Sequence, residues 1–306
     1  MSWQAAEEPE AKTPPPCPAL RHVIVPRPRD IGGFEVRRVL PSLAVRSVGP
    51  FVFFDQMGPA ELAPGQGIDV RPHPHIGLAT VTYLFDGSIV HRDSLGTVQA
   101  IEPGAVNWMT AGRGMVHSER SDSELRKRRQ KLYGIQIWVA LPREREETEP
   151  DFTHYPAASL PVSESEGATV RVIAGNFHGR TSPVKTFSAL FYADAVLRRG
   201  ASLALENAYE ERAIYLLEGS VAIREQVFEP GRLLVFSPGD EIAVSAASNA
   251  RVLFFGGAPL DGPRHLWWNF VSTSREGIER AKAEWREKRF AAVPGETEFI
   301  PLPENS

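Results

Sequence analysis

The sequence predicts an all-β protein made of two similar barrels in one chain, followed by a short C-terminal helix. Short apolar segments alternate with Gly- and Pro-rich turns at intervals of about ten residues, a rhythm typical of barrels and sandwiches. The 26 prolines and 25 glycines among 306 residues also favour turns over long helices. The two halves repeat one another, since TYLFDGSIV at 82–90 matches IYLLEGSVA at 214–222. A repeat with shared turn residues predicts two copies of one fold.

The composition limits the classes of partner and compartment. The net charge is −4, which gives no strong attraction for nucleic acid. Cys17 is the single cysteine, so an internal disulfide is excluded and a reducing compartment is favoured. No apolar run approaches the ~20 residues that a membrane-spanning helix needs. We therefore expect a cytoplasmic protein with neither nucleic acid nor membrane as a direct partner.

Four segments are expected along the chain. Residues 1–20 mix charge with proline and are predicted to be a disordered leader, in which Cys17 has no structural role. Residues 21–145 are assigned to the first barrel, which carries the metal-binding motif. Residues 146–168 are polar and contain proline, which predicts a linker. Residues 169–306 are assigned to the second barrel and the helix that follows it.

The strands are predicted from short runs of β-branched and aromatic residues. In the first half these runs are HVIVP, FEVRRVLPS, GPFVFFDQMGPA, ATVTYLF and KLYGIQIWVALP. In the second half they are TVRVIAG, KTFSALFYADAVL, RAIYLLEGSVAI, RLLVFSPGD and ARVLFFGGAPL.

The helix is predicted within STSREGIERAKAEWREKRF. Thr273 and Glu276 have the spacing of a capping box. Ile278, Ala281 and Trp285 fall on one apolar face, as in a helix packed on a barrel wall.

Four side chains able to bind a metal occur as two pairs, His73 with His75 and His117 with Glu119. Residues two apart on a strand point to the same face, so each pair converges. If the two strands are neighbours, all four side chains meet, because cross-strand Cβ atoms are about 5 Å apart. Three imidazoles and one carboxylate suit a divalent first-row metal such as iron, manganese, cobalt, nickel, copper or zinc. His91 lies nearby and is interpreted either as a polar residue at a strand end or as a hydrogen-bond partner of a ligand, rather than as a ligand itself.

The repeat predicts one metal per chain. Aligned on the matching segments, His73 falls on Leu205, His75 on Asn207, His117 on Val244 and Glu119 on Ala246. Because the second barrel lacks all four ligands, it cannot build the same site.

Several long segments resemble the pirin family of the cupin superfamily. They include PHPHIGLATVTYLFDG, HRDSLG, PGAVNWMTAGRGMVHSE and FFGGAPLDGP. The resemblance extends over about residues 21–290 and implies two cupin barrels, each a double-stranded β-helix of the jelly-roll type. It implies one iron(II) in the first barrel, with ligands that fall on His73, His75, His117 and Glu119. RHLWWNFVS, at 264–272, departs from the family in being richer in aromatic residues.

Some pirins cleave quercetin-like flavonols with O2, so the resemblance implies a quercetin 2,3-dioxygenase-like activity on a small phenolic substrate. Glu119 would then act as the catalytic base, or as a ligand alone. Phe53, Trp108 and Met109 either line an apolar pocket above the metal or are ordinary core residues.

A second hypothesis follows from the same resemblance, because other pirins are iron-dependent regulators that bind a transcription factor or a metabolic enzyme. The basic segment 124–131, ELRKRRQK, would then contact a protein partner. A solvated surface is the simpler interpretation of this segment, since no aromatic residues are interleaved with its charges. A dioxygenase or isomerase acting on another enol is a third hypothesis.

Overall fold

The computed structural model describes residues 10–12, 17–31, 34–239 and 241–304. Of the predicted disordered leader, residues 1–9 and 13–16 lie outside the described part. The strands of the first half are β1 (Glu10–Lys12), β2 (Leu20–Val25), β3 (Arg27–Asp30), β4 (Glu35–Leu40), β5 (Phe51–Leu62), β6 (Asp69–His75), β7 (Leu78–Asp86), β8 (Ile89–Asp93), β9 (Val98–Ile101), β10 (Val106–Thr110), β11 (Met115–Arg120), β12 (Gln130–Ala140) and β13 (Asp151–Tyr155).

The second half continues the same alternation of short strands and turns and ends in the helix. Its elements are β14 (Val162–Ser165), β15 (Ala168–Phe177), β16 (Arg180–Thr181), β17 (Leu190–Leu197), β18 (Ser202–Leu205), β19 (Glu211–Glu218), β20 (Val221–Ile223), β21 (Gln226–Phe228), β22 (Arg232–Phe236), β23 (Ile242–Ala246), β24 (Ala250–Gly257), β25 (His265–Trp267), β26 (Phe270–Ser272) and α1 (Arg275–Arg286).

The first barrel is made of two antiparallel sheets. One has the order β13-β10-β7-β12-β5-β4-β3 and the other the order β6-β11-β8-β9. Apolar side chains from both sheets, such as Val70, Ile89, Leu84 and Trp138, pack together between them. The smaller sheet carries all four predicted metal ligands, because they lie on β6 and β11.

The second barrel repeats this arrangement. Its large sheet contains β22-β19-β24-β17-β15 in that order, and its small sheet has the order β18-β23-β20-β21. The predicted all-β class, the two cupin barrels and the short C-terminal helix are confirmed.

The strand pairing differs from the predicted domain bounds at two places. β2 falls largely within the range assigned to the first barrel, yet it pairs with β22 of the second barrel, Val23 opposite Leu234. The predicted linker, residues 146–168, carries β13, which pairs with β10, and β14, which pairs with β15. These are strands at or near sheet edges, and their polar composition reflects the exposure of one face rather than an irregular chain.

Cys17 is buried, contrary to the expectation that it has no structural role. It packs with Leu20, Val23 and the apolar interior of the second barrel. The composition of the leader concealed this, because the burial comes from the pairing of β2 with a strand of the other half.

The two barrels share a core. Alternate residues of β7 face opposite ways, so that Leu84 packs inside the first barrel while Tyr83 packs against the second. Phe51 of the first barrel meets Phe255 of the second edge to face, with ring centroids 5.3 Å apart. A buried hydrogen bond joins the same surfaces, since the Tyr83 hydroxyl donates to Asp194 at 2.9 Å.

The helix begins one residue later than the predicted capping box requires. Ser274 is the N-cap, and its hydroxyl accepts the Gly277 N–H. The Thr273 N–H instead donates to the Glu146 carboxylate, at 2.9 and 3.0 Å. Ile278 and Ala281 are buried as predicted.

Among the described residues, no helix is both long and apolar enough to cross a membrane.

Candidate metal centre

Two neighbouring strands bring three of the predicted ligands together. β6 and β11 are antiparallel, with His73 opposite His117 and His75 opposite Met115. The ring centroids lie 5.0 Å apart for His73 and His75, 4.4 Å for His73 and His117, and 5.0 Å for His75 and His117. All three side chains are buried, and one ring nitrogen of each lies within 4.8 Å of the others. The two predicted pairs, His73-x-His75 and His117-x-Glu119, thus supply the three histidines of this cluster.

Each of the three rings uses Nδ1 for a bond to the protein. Nδ1 of His73 lies 2.8 Å from the Arg71 carbonyl oxygen, and Nδ1 of His75 lies 3.1 Å from the Asn269 carbonyl oxygen. A carbonyl only accepts, so these two nitrogens carry the proton and donate it. The Nε2 atoms of His73 and His75 are then left with a lone pair, as a metal ligand requires.

His91 fixes the third ring in the same way. Its Nε2 lies 2.9 Å from Asp93 Oδ2, and its Nδ1 lies 3.3 Å from Nδ1 of His117. With Nε2 of neutral His91 donating to the carboxylate, its Nδ1 accepts the Nδ1–H of His117. Nε2 of His117 thus also presents a lone pair, and His91 supports a ligand as interpreted from the sequence.

The positions of the Nε2 atoms fit a metal ion. Those of His75 and His117 are 3.1 Å apart, so two lone pairs face one another in a buried space. Such a contact is repulsive unless a cation lies between them. Two imidazoles about 2.1 Å from one metal and at right angles have their nitrogens about 3 Å apart. Burial also holds the pKa of all three rings well below the ordinary value, which keeps them neutral and able to bind metal.

Glu119 occupies a different position in the site. It is buried and lies opposite His91 of β8. In the part of the chain that the structure describes, the one group of three or more such side chains with ligand atoms within 4.8 Å of one another is the three histidines, without Glu119. The pairing of β6 with β11 shifts register between His117 and Glu119, so that Glu119 faces Val70. Its role as fourth ligand stays a prediction.

Asp93 is a site residue that the sequence interpretation missed. Besides His91, it accepts the backbone N–H groups of Leu95 at 2.9 Å and Thr97 at 3.0 Å. Burial alone would raise the pKa of Asp93, but the hydrogen bonds from His91 and Thr97 outweigh burial and lower it. The side chain is therefore a carboxylate at neutral pH and orients His91. The available signal was the His91-x-Asp93 spacing on a strand beside β11.

The aromatic surroundings differ from the predicted pocket. Trp138 meets His75 edge to face at 5.0 Å, and Phe53 stacks on Trp138 at 3.9 Å. Trp108 lies in the core shared by the barrels, and Met109 packs in a small cluster with Met115. Phe53 therefore contacts Trp138 rather than a histidine of the site. The aromatic residue that contacts His75 is Trp138, which the sequence analysis did not select.

Two segments from the end of the chain cover this region. The hairpin of β25 and β26 places Asn269 against His75 through the hydrogen bond described above. Further on, the Ile300 N–H donates to the Pro72 carbonyl oxygen at 2.8 Å. Glu296 accepts from Ser118 at 2.9 Å and from Arg120 at 2.7 and 3.0 Å. The strands that carry the ligands are therefore tied down from outside the barrel.

Known proteins match this chain over most of its length. A family model described as Pirin matches residues 33–139, and one described as Pirin C-terminal cupin domain matches residues 192–291. A pirin-like protein of Caulobacter vibrioides is 48% identical, over 91% of this chain and 97% of its own length.

Solved structures agree with these matches. A crystal structure of a quercetin 2,3-dioxygenase from Acinetobacter baumannii is 33% identical, with a TM-score of 0.84 over 93% of this chain and 96% of that one. A second structure with the same description and source is 27% identical, with a TM-score of 0.84 over 90% of this chain and 99% of that one.

Proposed function

The chain belongs to the pirin family, and from that membership we propose that it is a metal-dependent dioxygenase of the quercetin 2,3-dioxygenase type, with one iron(II) held in the first barrel. The observation that carries the proposal is the convergence of three buried, neutral imidazoles whose Nδ1 atoms are all engaged. The similarity to the two Acinetobacter baumannii structures described as quercetin 2,3-dioxygenases supports the reaction type.

The metal would be held by Nε2 of His73, His75 and His117, with the Glu119 carboxylate as the fourth ligand. Three imidazoles and one carboxylate leave positions open on a six-coordinate ion, and the bound iron would supply Lewis acidity and dioxygen chemistry. The acceptors at Arg71 and Asn269 and the acceptor nitrogen of His91 orient the three rings, so little rearrangement is needed on metal binding.

Glu119 is proposed to have a second role as the base. A flavonol must lose the proton of its ring hydroxyl before its carbon skeleton reacts with O2. Glu119 is the buried carboxylate two residues from His117 on β11, and it accepts this proton on a carboxylate oxygen. Asp93 is excluded from this role because it is already engaged with His91 and two backbone N–H groups.

The surroundings exclude water from the reacting groups. Trp138 and Phe53 form a stacked apolar wall beside His75, and Phe152 stacks on His91 at 4.3 Å. A dry site strengthens the interaction of the carboxylate with the substrate proton and limits side reactions.

The test is oxygen consumption by the protein loaded anaerobically with iron(II). We expect one O2 to be consumed for each quercetin lost, and no consumption by metal-free protein or by the His117→Ala variant. An iron-loaded protein that consumes no O2 with any flavonol would contradict the proposal.

A further inference from the structure

The hairpin of β25 and β26 has an unusual tip. A hairpin turn normally lies on the surface, where water satisfies its backbone. Here the two turn residues, Trp268 and Asn269, are 1% and 0% exposed. Trp268 also adopts a φ of +52°, a left-handed conformation that a bulky side chain rarely takes. The turn is therefore held in a costly conformation inside the molecule.

The tip is built against the metal centre. The Asn269 carbonyl oxygen accepts from Nδ1 of His75 at 3.1 Å. Next to it, Phe270 bridges to Ile76, and the Val271 N–H donates to the Ile76 carbonyl oxygen at 3.2 Å. Asn269 is thus fixed beside His75 by the hydrogen bond to its own carbonyl and by the contacts of the strand that follows it.

The side chain of Asn269 is not used by these contacts. Within the described part of the chain, neither Nδ2 nor Oδ1 of this buried amide has a hydrogen-bond partner. Nε1 of Trp138 likewise lacks one there, and the Trp138 ring meets His75 edge to face at 5.0 Å. Buried polar atoms are nearly always paired. Asn269 and Trp138 contact the same imidazole from separate elements, and each carries an unpaired polar group, which points to a polar ligand bound at this place.

The donors and acceptors define the chemistry of that ligand. An amide offers N–H groups and a carbonyl oxygen side by side, and an indole offers one N–H. A hydroxyl next to a carbonyl fits the donors of this set, because the hydroxyl oxygen accepts from Nδ2 and the carbonyl oxygen accepts from Nε1, which leaves the hydroxyl proton to Glu119. We propose that Asn269, with Trp138, is a specificity-determining residue that binds the adjacent hydroxyl and carbonyl oxygens of the substrate beside His75. This inference rests on the proposed function, since it places that substrate at the metal centre.

The test measures binding without turnover. The full chain is loaded with zinc(II), which has no redox chemistry, and titrated anaerobically with quercetin and with a flavone that lacks the hydroxyl next to the carbonyl. For Asn269→Leu we expect the Kd for quercetin to rise about tenfold, and the Kd for the flavone to change less than twofold. The zinc content and the thermal midpoint should stay at or above the wild-type values, because an unpaired amide is replaced by an apolar group. Trp138→Phe removes one donor and should raise the Kd for quercetin about threefold.

Asn107→Leu is the matched control. Asn107 is also a buried asparagine with an unpaired Nδ2, but it lies on β10 and its Oδ1 accepts from His154 at 2.7 Å. This variant should lower the thermal midpoint and leave the Kd for quercetin unchanged.

Three outcomes would overturn the inference. They are an unchanged Kd in Asn269→Leu, a parallel loss of zinc and thermal stability in that variant, and a wild-type protein that does not bind quercetin. Another result would separate this inference from the proposed function. If wild type binds quercetin, Asn269→Leu binds it about tenfold more weakly, and the iron-loaded protein consumes no O2, the role of Asn269 stands and the dioxygenase proposal fails.

Discussion

The two barrels have the same strand order, but their small sheets carry different kinds of side chain. In the first, the small sheet carries His73, His75 and His117. In the second, the corresponding sheet is filled with apolar side chains that pack into one core. A shared backbone therefore does not determine a metal site; the side chains on one sheet and their hydrogen-bond partners do.

The strand register refines this comparison. Val244 corresponds to His117 and lies opposite Leu203, as His117 lies opposite His73. Counted from Val244, the strands place Leu203 and Leu205 at the positions of His73 and His75, whereas the sequence alignment gave Leu205 and Asn207. The two differ because the alignment took the offset for β6 and the offset for β11 from motifs on different strands. By either count the second barrel has no histidine at these positions.

The second barrel also lacks the histidine that supports His117. Counted from Val244, Val221 takes the place of His91 and Ile223 that of Asp93. The match of 82–90 with 214–222 instead aligns His91 with Ile223 and Asp93 with Glu225. By either count His91 is replaced by an apolar residue.

The largest difference is expected between alanine substitutions at equivalent positions of the two barrels. His117→Ala removes one of three converging nitrogens, so the metal content should fall from about one per chain to near zero. Val244→Ala should leave the metal content unchanged and cost on the order of 2 kcal/mol of stability through the cavity it creates. Metal analysis and thermal unfolding measure the two results. Loss of metal in Val244→Ala would show that the second barrel contributes a ligand.

Glu119→Gln tests the residue proposed to act as the base in the first barrel. A neutral amide cannot take the substrate proton, so turnover should fall by about 10²–10⁴. Metal content should fall much less, because three imidazoles remain. Ala246 is the equivalent position, and Ala246→Ser there should change neither value. An equal loss of turnover and metal in Glu119→Gln would assign the residue to metal binding alone.

Restoring two ligands to the second barrel is expected to fail. The double variant Leu205→His, Val244→His places imidazoles at buried positions without the acceptors that orient His75 and His117. Each unpaired imidazole should cost about 2 kcal/mol. Calorimetry should show lower stability, and metal analysis should still give one equivalent per chain. A second equivalent would mean that the ligands alone are sufficient.

Asp93→Asn isolates the supporting residues from the ligands. The amide no longer provides the carboxylate that orients His91, so the ring of His117 is less well placed. We expect metal affinity to fall about 10–100-fold, measured by competition with a chelator. Ile223→Val is the control at the equivalent position, and an unchanged affinity in Asp93→Asn would contradict the proposed orientation of His91.

The smallest effect is expected at the C-terminal segment that lies on the first barrel. Hydrogen bonds from Arg120 hold the pKa of Glu296 below its ordinary value of 4.5. The interaction therefore stabilises the protein above pH 4.5 and is lost as the pH falls through the lowered pKa. Glu296→Gln should cost less than about 1 kcal/mol at pH 7, since the group is partly exposed. The difference from wild type should disappear in acid. Glu298→Gln, at the more exposed partner of Arg120, should cost less still.

The sequence predicted the parts of the site that depend on local spacing. The pairs His73-x-His75 and His117-x-Glu119 identified the strands, and the repeat identified the barrel without ligands. Two of the missed residues, Trp138 and Asn269, reach His75 from elements far away along the chain, and no local pattern marks such contacts. The shift in register between β6 and β11 also could not be predicted, since a strand motif does not reveal a change of pairing in its neighbour.

The same limit applies to the fold. Apolar runs and turn residues predicted the longest strands, such as β5, β12 and β15, because both signals depend on neighbouring residues. The helix cap was misplaced because the Glu146 carboxylate competes for the Thr273 N–H. The pairing of β2 with β22 could not be inferred from the composition of the Pro-rich leader.

This pairing has a consequence for biosynthesis. β2 leaves the ribosome before the strands of the first barrel, yet its partner β22 is made only after all of them have emerged. Val23 and Ile24 are buried in the finished protein, so they lack their final contacts until then. One edge of β2 is therefore without its partner strand during this time, a form that is prone to aggregation. Synthesis of β22, rather than folding of the first barrel, is the step that completes the pairing of β2.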